Sequence, residues 1–92
     1  MVRVFMLYES EPDPGRYERH AELCRQVPGG TFRHGNVFGA PRGEPAYAYY
    51  AEFEFPDLAA FQAVADSEEL RATGADAAEM GVPHSVYLIS VD

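Results

Sequence analysis

YYAEFEF, Tyr49–Phe55, is a strand with two unlike faces. Successive strand side chains point to opposite sides, so Tyr49, Ala51, Phe53 and Phe55 share one face while Tyr50, Glu52 and Glu54 share the other. The first face is core. The second is aromatic and acidic, and three destinations are open to it: water, a partner subunit or a pocket. The strand reads as beginning at Ala46, after the polar loop GAPRGEP with its two Gly and two Pro, and as broken by Pro56. Asp57 then caps a helix in which Leu58, Phe61 and Val64 or Ala65 recur at helical spacing.

Outward from this stretch, Thr31–Phe38 reads as a second strand, interrupted by Gly35. Ahead of it, Asp13 caps a helix with Pro14 at its first position and an apolar stripe of Tyr17, Ala21, Cys24 and Val27 or nearby Leu23, which Pro28-Gly29-Gly30 stops. Val2–Glu9 is the opening strand, rich in β-branched and aromatic residues. On the far side, Ser67 caps a further helical piece over Glu68–Met80, with an irregularity expected at Thr73-Gly74, and His84–Val91 is the last strand. The order β-α-β-β-α-β over a single domain, 1–92, predicts an α+β ferredoxin-like sandwich: a four-stranded antiparallel sheet with helices on one face. The strands carry apolar residues at both parities, as in Val2, Val4, Met6 and Tyr8 against Phe5 and Leu7. A sheet with one wet face alternates more cleanly. The second face is therefore expected to be buried by the same face of a second subunit, making a homodimer.

The chain of 92 residues has a formal charge of −8, and all seven of its basic residues are Arg. That surface repels phosphate backbones and anionic lipid, so nucleic-acid and membrane partners are not expected. No apolar run approaches the roughly 20 residues of a membrane span. The opening MVRVFMLYE alternates like a strand and lacks the features of a secretory signal, so a cytoplasmic location is expected. The single cysteine, Cys24, reads as inert packing on its helix rather than a catalytic thiol. The three histidines, His20, His34 and His84, show no metal-ligand spacing, and no metal is expected. No cofactor is required, though the spacing is compatible with haem held through one histidine.

The segments VFMLY, PDPGRYERH, NVFGAPRGEPAYAYYAEFEFPDLAAFQAV and VYLISV together resemble the EthD family across nearly the whole chain. Two patterns carry the resemblance: V-x-G-A-P-x-G-E-P-x-Y leading into A-E-x-x-F, and Asp-Pro-x-x-Tyr-x-x-His, which ends at His20. The resemblance implies a ferredoxin-like subunit that pairs into a dimeric α/β barrel with a small-molecule cavity in each subunit. It implies a link to bacterial breakdown of ethers and other organic compounds; similar barrels include cofactor-independent monooxygenases, cyclases, isomerases and haem-handling proteins. The chain departs from the family in its first helix, where HAELCRQVPGG puts Cys24 near the place of a second histidine.

Candidate site residues follow from parity. If the GAPRGEP loop joins its strands with equal parity on one face, Phe32, His34, Asn36 and Phe38 lie beside Tyr50 and Glu52. Glu52, a carboxylate among aromatic side chains, is then the candidate general base, against the alternatives of pairing with Arg3 or Arg33 across the sheet or dimer seam, or of standing in solvent. His34 is a proton-exchanging partner or an exposed edge residue. His20 is a core histidine or, following the family pattern, a catalytic group at the barrel mouth. Tyr8 and Tyr50 are candidate ligand-orienting phenols. The functional expectation is a homodimeric barrel that binds a small organic ligand and acts on it by cofactor-free oxygenase, isomerase or cyclase chemistry; the alternative is a non-catalytic accessory or binding protein of the same fold.

Overall fold

The computed structural model describes all residues, Met1–Asp92. Its elements run β1 (Val2–Tyr8), α1 (Pro14–Arg25), β2 (Thr31–Asn36), β3 (Tyr49–Phe55), α2 (Leu58–Val64), α3 (Glu68–Met80) and β4 (His84–Ser90). The strands form one antiparallel sheet in the order β2-β3-β1-β4, the ferredoxin-like arrangement expected from the sequence. The helix starts follow their caps: the side chains of Asp13, Asp57 and Ser67 accept hydrogen bonds from the backbone N–H groups of Arg16, Ala60 and Leu70. Gly81, in the left-handed conformation at φ 73°, closes α3.

Two expectations about the elements are corrected. α3 is continuous through Thr73-Gly74, because the Thr73 hydroxyl donates to the Leu70 carbonyl within the helix instead of interrupting it. β2 ends at Asn36 and β3 starts at Tyr49, so the loop between them is longer than the GAPRGEP turn suggests.

One face of the sheet is the core. Val2, Val4, Met6 and Tyr8 of β1 lie opposite Phe55, Phe53, Ala51 and Tyr49 of β3, and all eight are buried beneath the helices. α1 adds Tyr17, Ala21 and Cys24 from its apolar stripe. α1 packs on β2 and α3, and α2 packs on β3. No helix covers β4, and its sheet residues Val86 and Leu88, which point to the helix side, remain 52% and 65% exposed.

Gly30 marks where β2 is pressed against the end of β3. A Cβ there would sit 2.7 Å from the Phe55 ring and 3.0 Å from the Glu54 carbonyl oxygen, and Phe55 is fully buried and cannot swing away. Overpacking of this kind costs about 1–3 kcal/mol. Gly30→Ala is expected to lower the thermal midpoint by roughly 10 °C, at about 4–8 °C per kcal/mol for a domain this size. Gly35→Ala, whose Cβ would meet nothing nearer than 4.0 Å, leaves the midpoint nearly unchanged. Thermal unfolding of the two variants side by side measures the difference.

Candidate functional site

A cavity of about 270 Å³ lies between the sheet and the helices. β1 contributes Val4, Met6 and Tyr8 to it, and β4 contributes His84, Val86 and Leu88. Helix α3 lines the roof with Leu70, Thr73, Gly74 and Ala77, mostly small side chains that leave the space unfilled. Because β4 carries no helix above it, the cavity opens to solvent along that edge.

The register gives the cavity a polar end and an apolar end. Tyr8 pairs with His84 at one end, where their rings lie 5.1 Å apart, and His20 of α1 also lines the cavity. Val4 pairs with Leu88 two pairs further along, toward the apolar residues Phe53, Phe61 and Leu70. No Arg, Lys, Asp or Glu side chain lines the space.

His20 is held from both sides. Its Nδ1–H donates to Asp76 Oδ2 (2.8 Å), and its Nε2 lies 3.4 Å from the Cys24 thiol. Burial pushes that thiol up to about 12, so it stays protonated and donates to the imidazole. Arg16 clamps the same carboxylate through two nitrogens, at 2.7 and 3.1 Å, and these hydrogen bonds, more than the one from His20, hold the Asp76 carboxyl below its ordinary range. His20 is thus brought to the cavity wall with no ring nitrogen left unengaged by the protein. Cys24, read as inert packing, is buried and serves as a hydrogen-bond partner.

Tyr8 lines the cavity. Its hydroxyl lies 3.4 Å from that of Tyr17, and burial raises both phenols above their ordinary values, so both remain protonated. Tyr17 is buried, and its hydroxyl has no other partner. Either phenol can donate to the other; with Tyr17 as donor the Tyr8 O–H is left free, and Tyr8, not Tyr17, lines the cavity.

The expected grouping of His34 with Glu52 and Tyr50 is overturned. β2 pairs with β3 so that Arg33 faces Glu52 and His34 faces Ala51. Opposite parities therefore share a face, for two reasons visible in the packing: Phe32 packs tilted against Phe53, ring centres 5.1 Å apart, at the edge of the core, and Arg33 reaches Glu54 at 2.8 Å on the other side. His34 lies on the helix side, bonded through Nδ1 to the Tyr49 hydroxyl and against the Tyr17 ring, outside the cavity, and burial lowers its basicity.

Glu52 sits on the opposite, open face of the sheet. It is 5% exposed, accepts a hydrogen bond from the Tyr50 hydroxyl (2.9 Å) and lies 3.5 Å from Arg3 Nε, while Arg3 and Arg33 both donate to Glu54 Oε1. The pairing alternative describes its surroundings. Neither Glu52 nor Tyr50 shares the cavity with His20, Tyr8 or His84. His84 was not among the candidate site residues read from the sequence, where it was weighed only as a metal ligand and as the start of a strand. No group of three His, Cys, Asp or Glu side chains is arranged to hold a metal ion, and no helix is long and apolar enough to cross a membrane.

The arrangement has relatives of known structure. The chain is similar to an ethyl tert-butyl ether D (EthD) family protein from Bacillus halodurans C-125, with 24% identity and a TM-score of 0.80, covering 100% of this chain and 99% of that one. It is similar to a dimeric ferredoxin-like protein of unknown function from Jannaschia sp. CCS1, at 22% identity and a TM-score of 0.68 with 98% of both chains covered. It also resembles SnoaB, a cofactor-independent oxygenase from Streptomyces nogalater, at 16% identity and a TM-score of 0.62, over 98% of this chain and 91% of that one. No curated protein sequence matches it. The model of the EthD domain matches residues 14–81, through α1, the central hairpin and α3, and on that match the chain belongs to the EthD family.

Proposed function

We propose that this EthD-family chain binds a small, mostly apolar organic molecule in the cavity between its sheet and helices, and works as a homodimer joined through the open sheet face. One observation carries the reading: a cavity of about 270 Å³, free of charged side chains, is apolar along most of its length and polar at one end. A dry apolar cavity of about 150 Å³ takes a benzene ring. The space here suits a compound of about two fused rings. SnoaB's description as a cofactor-independent oxygenase supports cofactor-free chemistry at such a site, with Tyr8 and the histidine-lined end as its reactive part. The engagement of both His20 nitrogens within the protein favours a second reading, a non-catalytic binding or accessory protein.

Naphthalene is the direct probe of the site, followed by its fluorescence on titration. The wild-type chain is expected to bind it, and Ala77→Phe, which places a ring in the cavity from the roof, is expected to weaken binding at least tenfold with the fold retained. Equal binding by the two proteins, or none by the wild type, would remove the cavity as the site.

A further inference from the structure

Tyr8 and His84 are cross-strand neighbours at the polar end of the cavity, and their hydrogen-bonding capacities are complementary. The His84 Nδ1 lies 2.9 Å from the Val82 carbonyl oxygen. A carbonyl only accepts, so Nδ1 carries the hydrogen and, in the neutral ring, Nε2 carries a lone pair. No protein group bonds to that nitrogen. Beside it, the Tyr8 phenol has its own O–H to give when Tyr17 is the donor of the pair, either oxygen being able to donate. One acceptor and one donor on adjacent side chains match a hydroxyl group, which is itself one donor and one acceptor.

From this pairing we propose that Tyr8 and His84 form a hydroxyl-recognising site, and that the ligand is a compact, uncharged phenol or enol of about two rings whose acidic proton His84 accepts. The proposal rests on the cavity being the ligand site. The absence of any cationic lining residue disfavours a carboxylate or phosphate ligand, which would be buried without a partner charge. The absence of any anionic one disfavours an ammonium ion in the same way.

The step is a proton transfer alone. The ligand O–H bond breaks, its electron pair stays on oxygen as a phenolate or enolate, and the proton bonds to His84 Nε2. The imidazolium so formed keeps its Nδ1–H on the Val82 carbonyl, and the Tyr8 hydroxyl donates to the new oxyanion. No electron acceptor is needed. His20 cannot replace His84 in this role, since Asp76 and Cys24 occupy its two nitrogens.

The test compares 2-naphthol with 2-methoxynaphthalene, which keeps the rings and the oxygen but has no hydrogen to donate. The wild-type protein is expected to prefer 2-naphthol by roughly tenfold, the size of one or two well-made hydrogen bonds. His84→Phe, which keeps a ring against Tyr8, is expected to erase that preference while binding 2-methoxynaphthalene as before. A second readout follows the proton: at a pH where free 4-nitrophenol is chiefly neutral, the wild type is expected to show the phenolate absorption of the bound compound, and His84→Phe the neutral band. If the wild type binds both naphthalenes equally, the hydroxyl site is refuted while the cavity stands. Should neither bind, nor naphthalene itself, both fail together. A preference that survives in a folded His84→Phe also overturns the assignment. If that variant does not fold, the wild-type preference and the phenolate band decide the matter.

Discussion

Asp76→Ala is expected to lower the melting temperature by roughly 10–20 °C, the consequence of losing about 2–3 kcal/mol in a domain of this size. The carboxylate joins α1 to α3 through three contacts: two from the Arg16 guanidinium and one from His20, whose side chain is 4% exposed. Removing it leaves a buried imidazole N–H and a partly buried guanidinium without acceptors, which costs more than the net worth of the bonds themselves. Asp76→Asn retains an acceptor and should lose less. The effect also has a pH signature. Arg16, chiefly, holds the Asp76 carboxyl below its ordinary value in the folded chain. A depressed folded value stabilises the fold at pH above the unfolded carboxyl's titration, about 3.9, and that stabilisation is lost as pH falls through the lower folded value. Melting curves of wild type and Asp76→Ala are therefore expected to lie far apart at neutral pH and to converge in acid. A constant separation across that range would show that the carboxylate's charge is not what joins the helices.

How much of this was legible in the sequence differs by scale. The alternation in Tyr49–Phe55 and the caps at Asp13, Asp57 and Ser67 are local signals, and each element they announce is present. The pairing of Glu52 with Arg3 or Arg33 across the sheet or dimer seam was legible as an alternative, and the pairing within the sheet is present. The grouping of His34 with Glu52 failed because it depended on the parity of a long loop, which local turn chemistry does not fix. One residue of slip moves His34 from one side of the sheet to the other. The Asp76 clamp was invisible for a different reason: its partners lie 56 and 60 residues away, and a lone Asp on a helix otherwise reads as solvated surface. His84 was weighed in the sequence only for metal-ligand spacing, whereas the use proposed for it lies in which nitrogen is free. That depends on the Val82 carbonyl and on the Tyr8 register, neither of which spacing reveals.

The open face of the sheet supports the second large prediction, that Phe5→Arg converts the proposed homodimer to monomers. β1 and β3 are the central strands, and Phe5 is near the middle of β1, opposite Glu52 on one side and Tyr87 on the other, with its ring edge-on to Tyr50 at 5.9 Å. Leu7 and Ile89 extend the apolar area, and Tyr87 is 50% exposed with nothing in the chain to cover it. The charges on this face cancel within each chain, because Arg3 and Arg33 are already paired with Glu52 and Glu54. A second copy meeting this face therefore need supply no balancing charge, which suits a two-fold contact in which like residues approach like. An arginine at position 5 would place two further cations near the symmetry axis, on a face where Arg3 and Arg33 already balance the charge of Glu52 and Glu54. Burying an unpaired charge costs several kcal/mol per copy, enough to dissociate a standard interface at micromolar concentration. Sedimentation velocity should then show the variant at the chain mass of 10.2 kDa and the wild type at twice that. The helix-side cavity lies across the sheet from the substitution, so naphthalene binding by the monomeric variant would separate the site from the assembly, while a variant that stays dimeric would place the interface elsewhere.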